Sequence, residues 1–262
     1  MAHVRLALLF VAWCSVVPAP LTAQGDQLAA GIQAAGANDF AAARAHFDAV
    51  LRHDPESYEA NWRLALVLID VAKQTPDRLR SPVRDSIYQQ AERYARRAVA
   101  AKPDGAEGHF ALANAIGRST LSMSARERVR RGNEVRAEAL RTLELDPHHD
   151  GAWHILGRWN AEVERLPAVE RLFARAFLGA AVFSTASWDE AERDLRLAVE
   201  YAPTKIVHRF DLAEIMYWRQ EWAAAKQELD FLAALPNVDV SDTSYQRQAR
   251  ELMTKVLEKL RK

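Results

Sequence analysis

Apolar residues recur every three or four positions through most of this chain, and the runs stop at regular places. Phe40, Ala43, Phe47 and Val50 keep helical spacing until Asp54-Pro55. Trp62, Leu64, Ala65, Leu66 and Leu68 form a second apolar helix beginning near Tyr58. Tyr88, Ala91, Ala95 and Ala98 repeat the spacing and stop at Pro103. His109, Phe110, Leu112, Ala113 and Ile116 start a third unit, whose long charged second helix runs from about Ser124 to Leu145 and stops at Asp146-Pro147. Ile206, Leu212, Ala213 and Met216 lead to a turn at Gln220-Glu221. Trp222, Ala225, Leu229 and Leu232 return from it to Pro236. The pattern predicts antiparallel helix pairs. Gly31 and Ala34 belong to the first helix of the first pair, Asn38-Asp39 make its turn, and Asp39 is placed to cap the helix that follows. A last amphipathic helix, about Thr243 to Leu260, gives the polar outer face that a stack of pairs needs at its end.

The stretch from Asp146 to Pro203 carries the clearest repeat. Trp153, Leu156 and Gly157 fit W-x₂-L-G-x₂-Y, with Asn160 in place of Tyr. Ala191, Leu195 and Pro203 fit A-x₃-F…P, with Leu in place of Phe. This is the tetratricopeptide pattern. Its large residues fill the space between two helices, its small ones let them approach, and its Pro stops the second. The terminating prolines are 55, 103, 147, 203 and 236. The first three intervals exceed the ~34-residue period and the last matches it. The surplus residues fall between the two helices of a pair, as in Gln74 to Asp85. The expected fold is therefore all-α: a tetratricopeptide-like right-handed superhelix of about five helix pairs plus a C-terminal capping helix.

Composition adds an address more than a chemistry. The 262 residues are 49% hydrophobic and 27% charged, with formal net charge 0, so no bulk attraction to nucleic acid or anionic membrane is expected. Arg5 followed by the apolar run Leu6 to Val17 reads as an export signal, too short to span a bilayer. Cleavage is expected near Ala23 or Gln24. That gives a signal peptide over 1–24, a single repeat domain over 25–262, and a periplasmic or extracellular address. An uncleaved anchor and lipidation at Cys14 are the alternatives. Cys14 is the only Cys, so the mature domain has neither a disulfide nor thiol chemistry.

The run His148-His149, Leu156-Gly157-Arg158-Trp159, Glu162-Val163, Leu166, Glu170-Arg171, Ala176-Phe177-Leu178-Gly179 and Trp188-Asp189-Glu190-Ala191 resembles the regulator of microtubule dynamics family. The likeness is densest from about Leu143 to Pro203 and extends more weakly to Phe40 and Pro236. It implies a helical, non-catalytic binding protein, associated with microtubules in eukaryotic members. An exported chain would not meet cytoplasmic microtubules, so the fold carries over and that partner does not.

The expected function is a non-catalytic scaffold that holds a protein or peptide segment, with no cofactor and no nucleic acid. First helices line the inner groove of such arrays. Superposing the pairs places Trp62, Phe110, Asn114, Arg118, His154, Arg158, Glu162, Phe210, Glu214 and Tyr217 there, with Arg118 and Arg158 able to share a carboxylate. The competing reading of Arg158 and Glu162 is a plain i, i+4 surface pair. Two alternatives stay open. The apolar stretch 163–183, with Leu166, Val169, Leu172, Phe173, Ala176, Phe177 and Leu178, could meet a membrane surface in envelope assembly, or pack on the array. His148, His149 and His154, with Asp146 and Asp150, could hold a metal in an enzyme, although no two of the histidines share a helix face. The basic run Arg126, Arg128, Arg130 and Arg131 reads as a solvated helix face. There is no Gly-rich phosphate loop, no G-x-S-x-G and no H-E-x-x-H.

Overall fold

The computed structural model describes residues 21–75, 81–120, 123–166 and 185–261. Among them are eleven helices and no strand. Residues 1–20 of the expected export signal and most of the apolar 163–183 stretch lie outside the described residues.

The helices pair as the periodicity predicts. Pair one is α1 (Leu21–Gly36) with α2 (Phe40–His53). Pair two is α3 (Tyr58–Lys73) with α4 (Pro82–Ala101). Pair three is α5 (Ala106–Ser119) with α6 (Ala125–Leu145). Pair four is α7 (Asp150–Arg165) with α8 (Trp188–Tyr201). Pair five is α9 (Ile206–Trp218) with α10 (Trp222–Ala233), and α11 (Asp242–Leu260) caps the stack. Ala23 and Gln24, where cleavage is expected, lie within α1. No described helix is long and apolar enough to cross a membrane.

Local chemistry fixes the ends. Asp39 Oδ1 accepts from the Ala42 N–H at 3.0 Å, and Asn38 before it takes φ 58°, a left-handed turn that Asn tolerates. Ser81, Ser124 and Ser187 cap α4, α6 and α8 through their hydroxyls. Helices α2, α4, α6 and α8 each have a C-cap residue followed directly by Pro, namely Pro55, Pro103, Pro147 and Pro203. Proline disfavours the helical conformation in the residue before it, so the helix stops at that point.

Each second helix packs on the first helix of the next pair, and α3, α5, α7 and α9 touch in succession. One core runs from Phe40 through Phe47, Leu64, Tyr88 and Ile116 to Val163. A second runs from Ala161 through Leu195, Leu212 and Met216 to Val256. A small cluster of Ala113, Ala139, Leu143, Ala152 and Leu156 links pairs three and four. The repeat motif works by close approach: a Cβ on Gly157 would lie 2.6 Å from Leu195 Cγ and 3.0 Å from the Ala191 carbonyl. Burying a side chain such as Leu195, which is fully covered, contributes roughly 1.5–3 kcal/mol. Asn160, in the Tyr position of the motif, is buried and donates to Asp194 Oδ2 at 3.0 Å and to the Leu156 carbonyl at 3.1 Å. A polar bridge replaces an aromatic plug.

Candidate functional site

The first helices carry the ten residues singled out from sequence. Phe110, Asn114 and Arg118 stand one turn apart on α5, and His154, Arg158 and Glu162 one turn apart on α7. Trp62 lies on α3, and Phe210, Glu214 and Tyr217 lie on α9.

Asp211 brings four of them together. Its Oδ2 lies 2.7 Å from His154 Nε2, and its Oδ1 accepts from Arg158 Nη1 at 3.0 Å. Arg158 also donates to Glu214 Oε2 at 3.1 Å and to Glu162 Oε1 at 3.0 Å. Arg165 closes the lattice, donating to the same Glu162 and Glu214 oxygens at 2.8 and 2.7 Å. Arg158, expected to share a carboxylate with Arg118, is engaged within its own chain. The guanidinium of Arg158 is already shared among three carboxylates of its own chain. Arg118, at the end of α5, exerts a weak attraction on Asp70 of α3.

The lattice sets two guanidinium groups and the His154 ring against three carboxylates and is partly desolvated. Burial pushes the Asp211 carboxyl up, but the Arg158 charge and the His154 hydrogen bond outweigh it and hold it at about 2. Arg158 is held still more firmly in its charged form, chiefly by Asp211, with a third of its side chain accessible. Beside the lattice, the His154 and His208 rings lie 4.7 Å apart. His208 Nε2 is 2.8 Å from Asp150 Oδ2, which also accepts from Lys205 Nζ at 2.6 Å. Burial lowers His208 to about 4, so it donates as a neutral ring; its Nδ1 has no partner among the described residues. Burial works to raise Asp150, but His208 and Lys205 take it well below the usual carboxylate range.

The other predicted residues are dispersed. Phe110 is wedged against the first turn of α7, where Gly151 leaves room for its ring and the His149 ring lies 4.4 Å away. Phe210 was expected on the open face but is only 6% exposed, because the capping helix α11 covers it with Tyr245 at 5.4 Å. Tyr217 packs with Trp222 at 5.1 Å, and Trp62 lies under the Arg63 guanidinium at 4.2 Å. Asn114 is half-buried and makes no hydrogen bond within the described residues. The three histidines of the metal alternative do not converge. His148 meets Tyr201, His149 Nδ1 caps α7 by accepting from the Ala152 N–H, and His154 is committed to Asp211. Among the described residues no group of three or more His, Cys, Asp or Glu could hold a metal ion.

Sequence reasoning missed Asp211, Lys205 and His208, and it read Asp150 as part of a metal cluster and Arg165 as part of a membrane face rather than as members of this lattice. The available signal was Asp211 itself, a carboxylate inside a helix otherwise written with Leu212, Ala213, Ile215 and Met216, one turn before Glu214.

The profile of the family described as "Regulator of microtubule dynamics protein 1-3" matches residues 21–258. The chain belongs to that family. The match covers every described helix except the last residues of α11. No curated protein matches the chain by sequence. Among solved structures it is similar to TTC0263, a thermophilic tetratricopeptide repeat protein of Thermus thermophilus. The TM-score is 0.55 at 16% identity, over 90% of this chain and 98% of that one. It is also similar to PilF of Pseudomonas aeruginosa, with TM-score 0.54 and 14% identity over 91% and 92% of the two chains. Those likenesses establish the tetratricopeptide-like fold for this member of the family.

Proposed function

We propose that the chain is a non-catalytic scaffold of the cell envelope or exterior that holds a protein or peptide segment along its first-helix face. Asn114 carries this reading. It is a half-buried amide with no hydrogen bond within the described residues, on the same α5 face as Phe110 and Arg118. An amide offers one acceptor and two donors, the complement of an extended peptide backbone. The neighbouring lattice of His154, Arg158 and Asp211 is satisfied internally, so it serves as a stiff wall beside the ligand. The export signal read from Arg5 and Leu6 to Val17 supports the address.

The test is a crosslinked capture from the native envelope fraction with wild type and Asn114→Ala. Loss of a hydrogen-bonding amide at a binding face should weaken the captured partner about tenfold while helicity is unchanged. Equal capture by both proteins would remove Asn114, and this reading of the face, from the function.

A further inference from the structure

The two ends of the stack meet. Asn38 Nδ2 donates to the Val238 carbonyl at 3.0 Å, across 200 positions of sequence. Asn38 sits in the α1–α2 turn, and Val238 in the 236–241 loop between α10 and α11. Two residues further on, Val240 packs half-buried on the core that runs from Phe40 to Val163. Between them stands Asp239. Burial pushes its carboxyl up, but the Lys73 charge and the Ser241 hydrogen bonds bring it below its usual value. Lys73 closes α3 and is paired with Asp70 at 2.8 Å, with Arg118 acting on Asp70 from α5. Lys205 adds a weaker attraction on Asp239 from its own loop.

The loop brings its shape with it. Asp242 is buried, and its Oδ2 accepts from the N–H groups of Val238 and Asp239 at 2.8 and 2.7 Å. Asp239 Oδ1 accepts from the Ser241 N–H and hydroxyl at 2.9 and 2.6 Å. A pre-formed segment is therefore met at three points: its 238 carbonyl accepts from Asn38, its 239 carboxylate lies in the field of Lys73, and its β-branched 240 side chain rests on the long core. The Val238 side chain points away and is 73% exposed.

We propose that the surface made by the Asn38 turn and the end of α3 is a binding site for an acidic–apolar protein segment, and that loop 236–241 is its tethered occupant. A partner presenting a carboxylate directly before a β-branched apolar residue takes the same place in trans and opens the closed stack. The contact is light enough to exchange. It comprises one neutral hydrogen bond, one half-buried valine and one carboxylate on an exposed residue. This site lies apart from Asn114 and does not depend on the reading of that residue.

The experiment is fluorescence anisotropy of a labelled peptide copying residues 237–242, Asn-Val-Asp-Val-Ser-Asp, with the full chain. A tethered occupant reduces apparent affinity by the fraction of time the site is free. Asp239→Asn combined with Val240→Ser weakens the loop and leaves the receiving surface intact, so the peptide should bind this variant at least about tenfold more tightly than wild type. Adding Lys73→Gln should abolish the gain, as should replacing the first Asp of the peptide by Asn. A Gly-Ser-Gly insertion between Pro236 and Asn237 frees the loop without changing any of its residues, and provides the test if the double variant loses helicity. Equal binding to wild type and a helical, freed variant overturns the proposal. So does a gain that survives Lys73→Gln.

Discussion

Two seams join α7 to its neighbouring first helices, and they are held in opposite ways. On the α5 side Phe110 fills the space over Gly151 and meets the His149 ring, an apolar wedge backed by Ala113, Ala152 and Leu156. On the α9 side His154 and Arg158 reach Asp211 and Glu214, and Asp150 reaches His208 and Lys205. The backbone arrangement is the same helix-on-helix stacking. The difference lies in how each seam responds to loss. A wedge loses contacts in proportion to the atoms removed. A lattice of charges loses little when all members are present and much when one is taken away, because the survivors stay desolvated.

The largest break should therefore come from Asp211→Ala. It leaves Arg158 short of its nearest counter-charge and His154 without its acceptor, at a cost of about 3–5 kcal/mol in urea unfolding. A loss no larger than that of an exposed pair would mean that the lattice is a solvated surface feature.

Acid should separate the seams next. His208 titrates at about 4 in the fold against 6.5 unfolded, so the unfolded chain takes up a proton that the fold refuses. The contribution is whole above pH ~6.5 and drains away as pH falls toward 4, by on the order of 3 kcal/mol. Unfolding midpoints measured across that window should fall in wild type and stay flatter in His208→Gln, whose amide can still donate to Asp150. The Asp211 contribution is lost lower, as pH falls from the usual carboxylate value toward 2. A wild-type profile as flat as that of the variant would remove His208 as the acid-sensitive group.

The smallest effect should be at the wedge. Phe110→Ala should cost about 2 kcal/mol, below the range for a fully buried Phe because the ring is half-buried, and the loss should be the same at pH 7 and pH 5. A loss that grows in acid would tie the α5 seam to the charges across α7.

How much of this was legible follows the range of each interaction. The helix ends were written locally. Asp39 caps where expected, the third pair's second helix begins next to Ser124, and each of Pro55, Pro103, Pro147 and Pro203 follows the residue that ends its helix. Gly157 and Leu195 were legible as a pair because a repeat fixes which residues face each other. The site was legible only as a face. Periodicity put His154, Arg158, Glu162 and Glu214 on one side of their helices. It could not say that Asp211 would join them, nor that α11 would cover Phe210 with Tyr245. Those outcomes depend on the distance between helices far apart in the chain, which no local pattern encodes.

By itself, the sequence determined the helices, their pairing and the all-α stack, since i, i+3 and i, i+4 spacing, capping side chains and prolines act within a few residues. Only the tertiary structure decided which charges neutralise one another and that Asn38 meets Val238. Ion pairs and hydrogen bonds form over about 3 Å, and such proximity between remote positions is set by the summed rise and rotation of every helix pair between them.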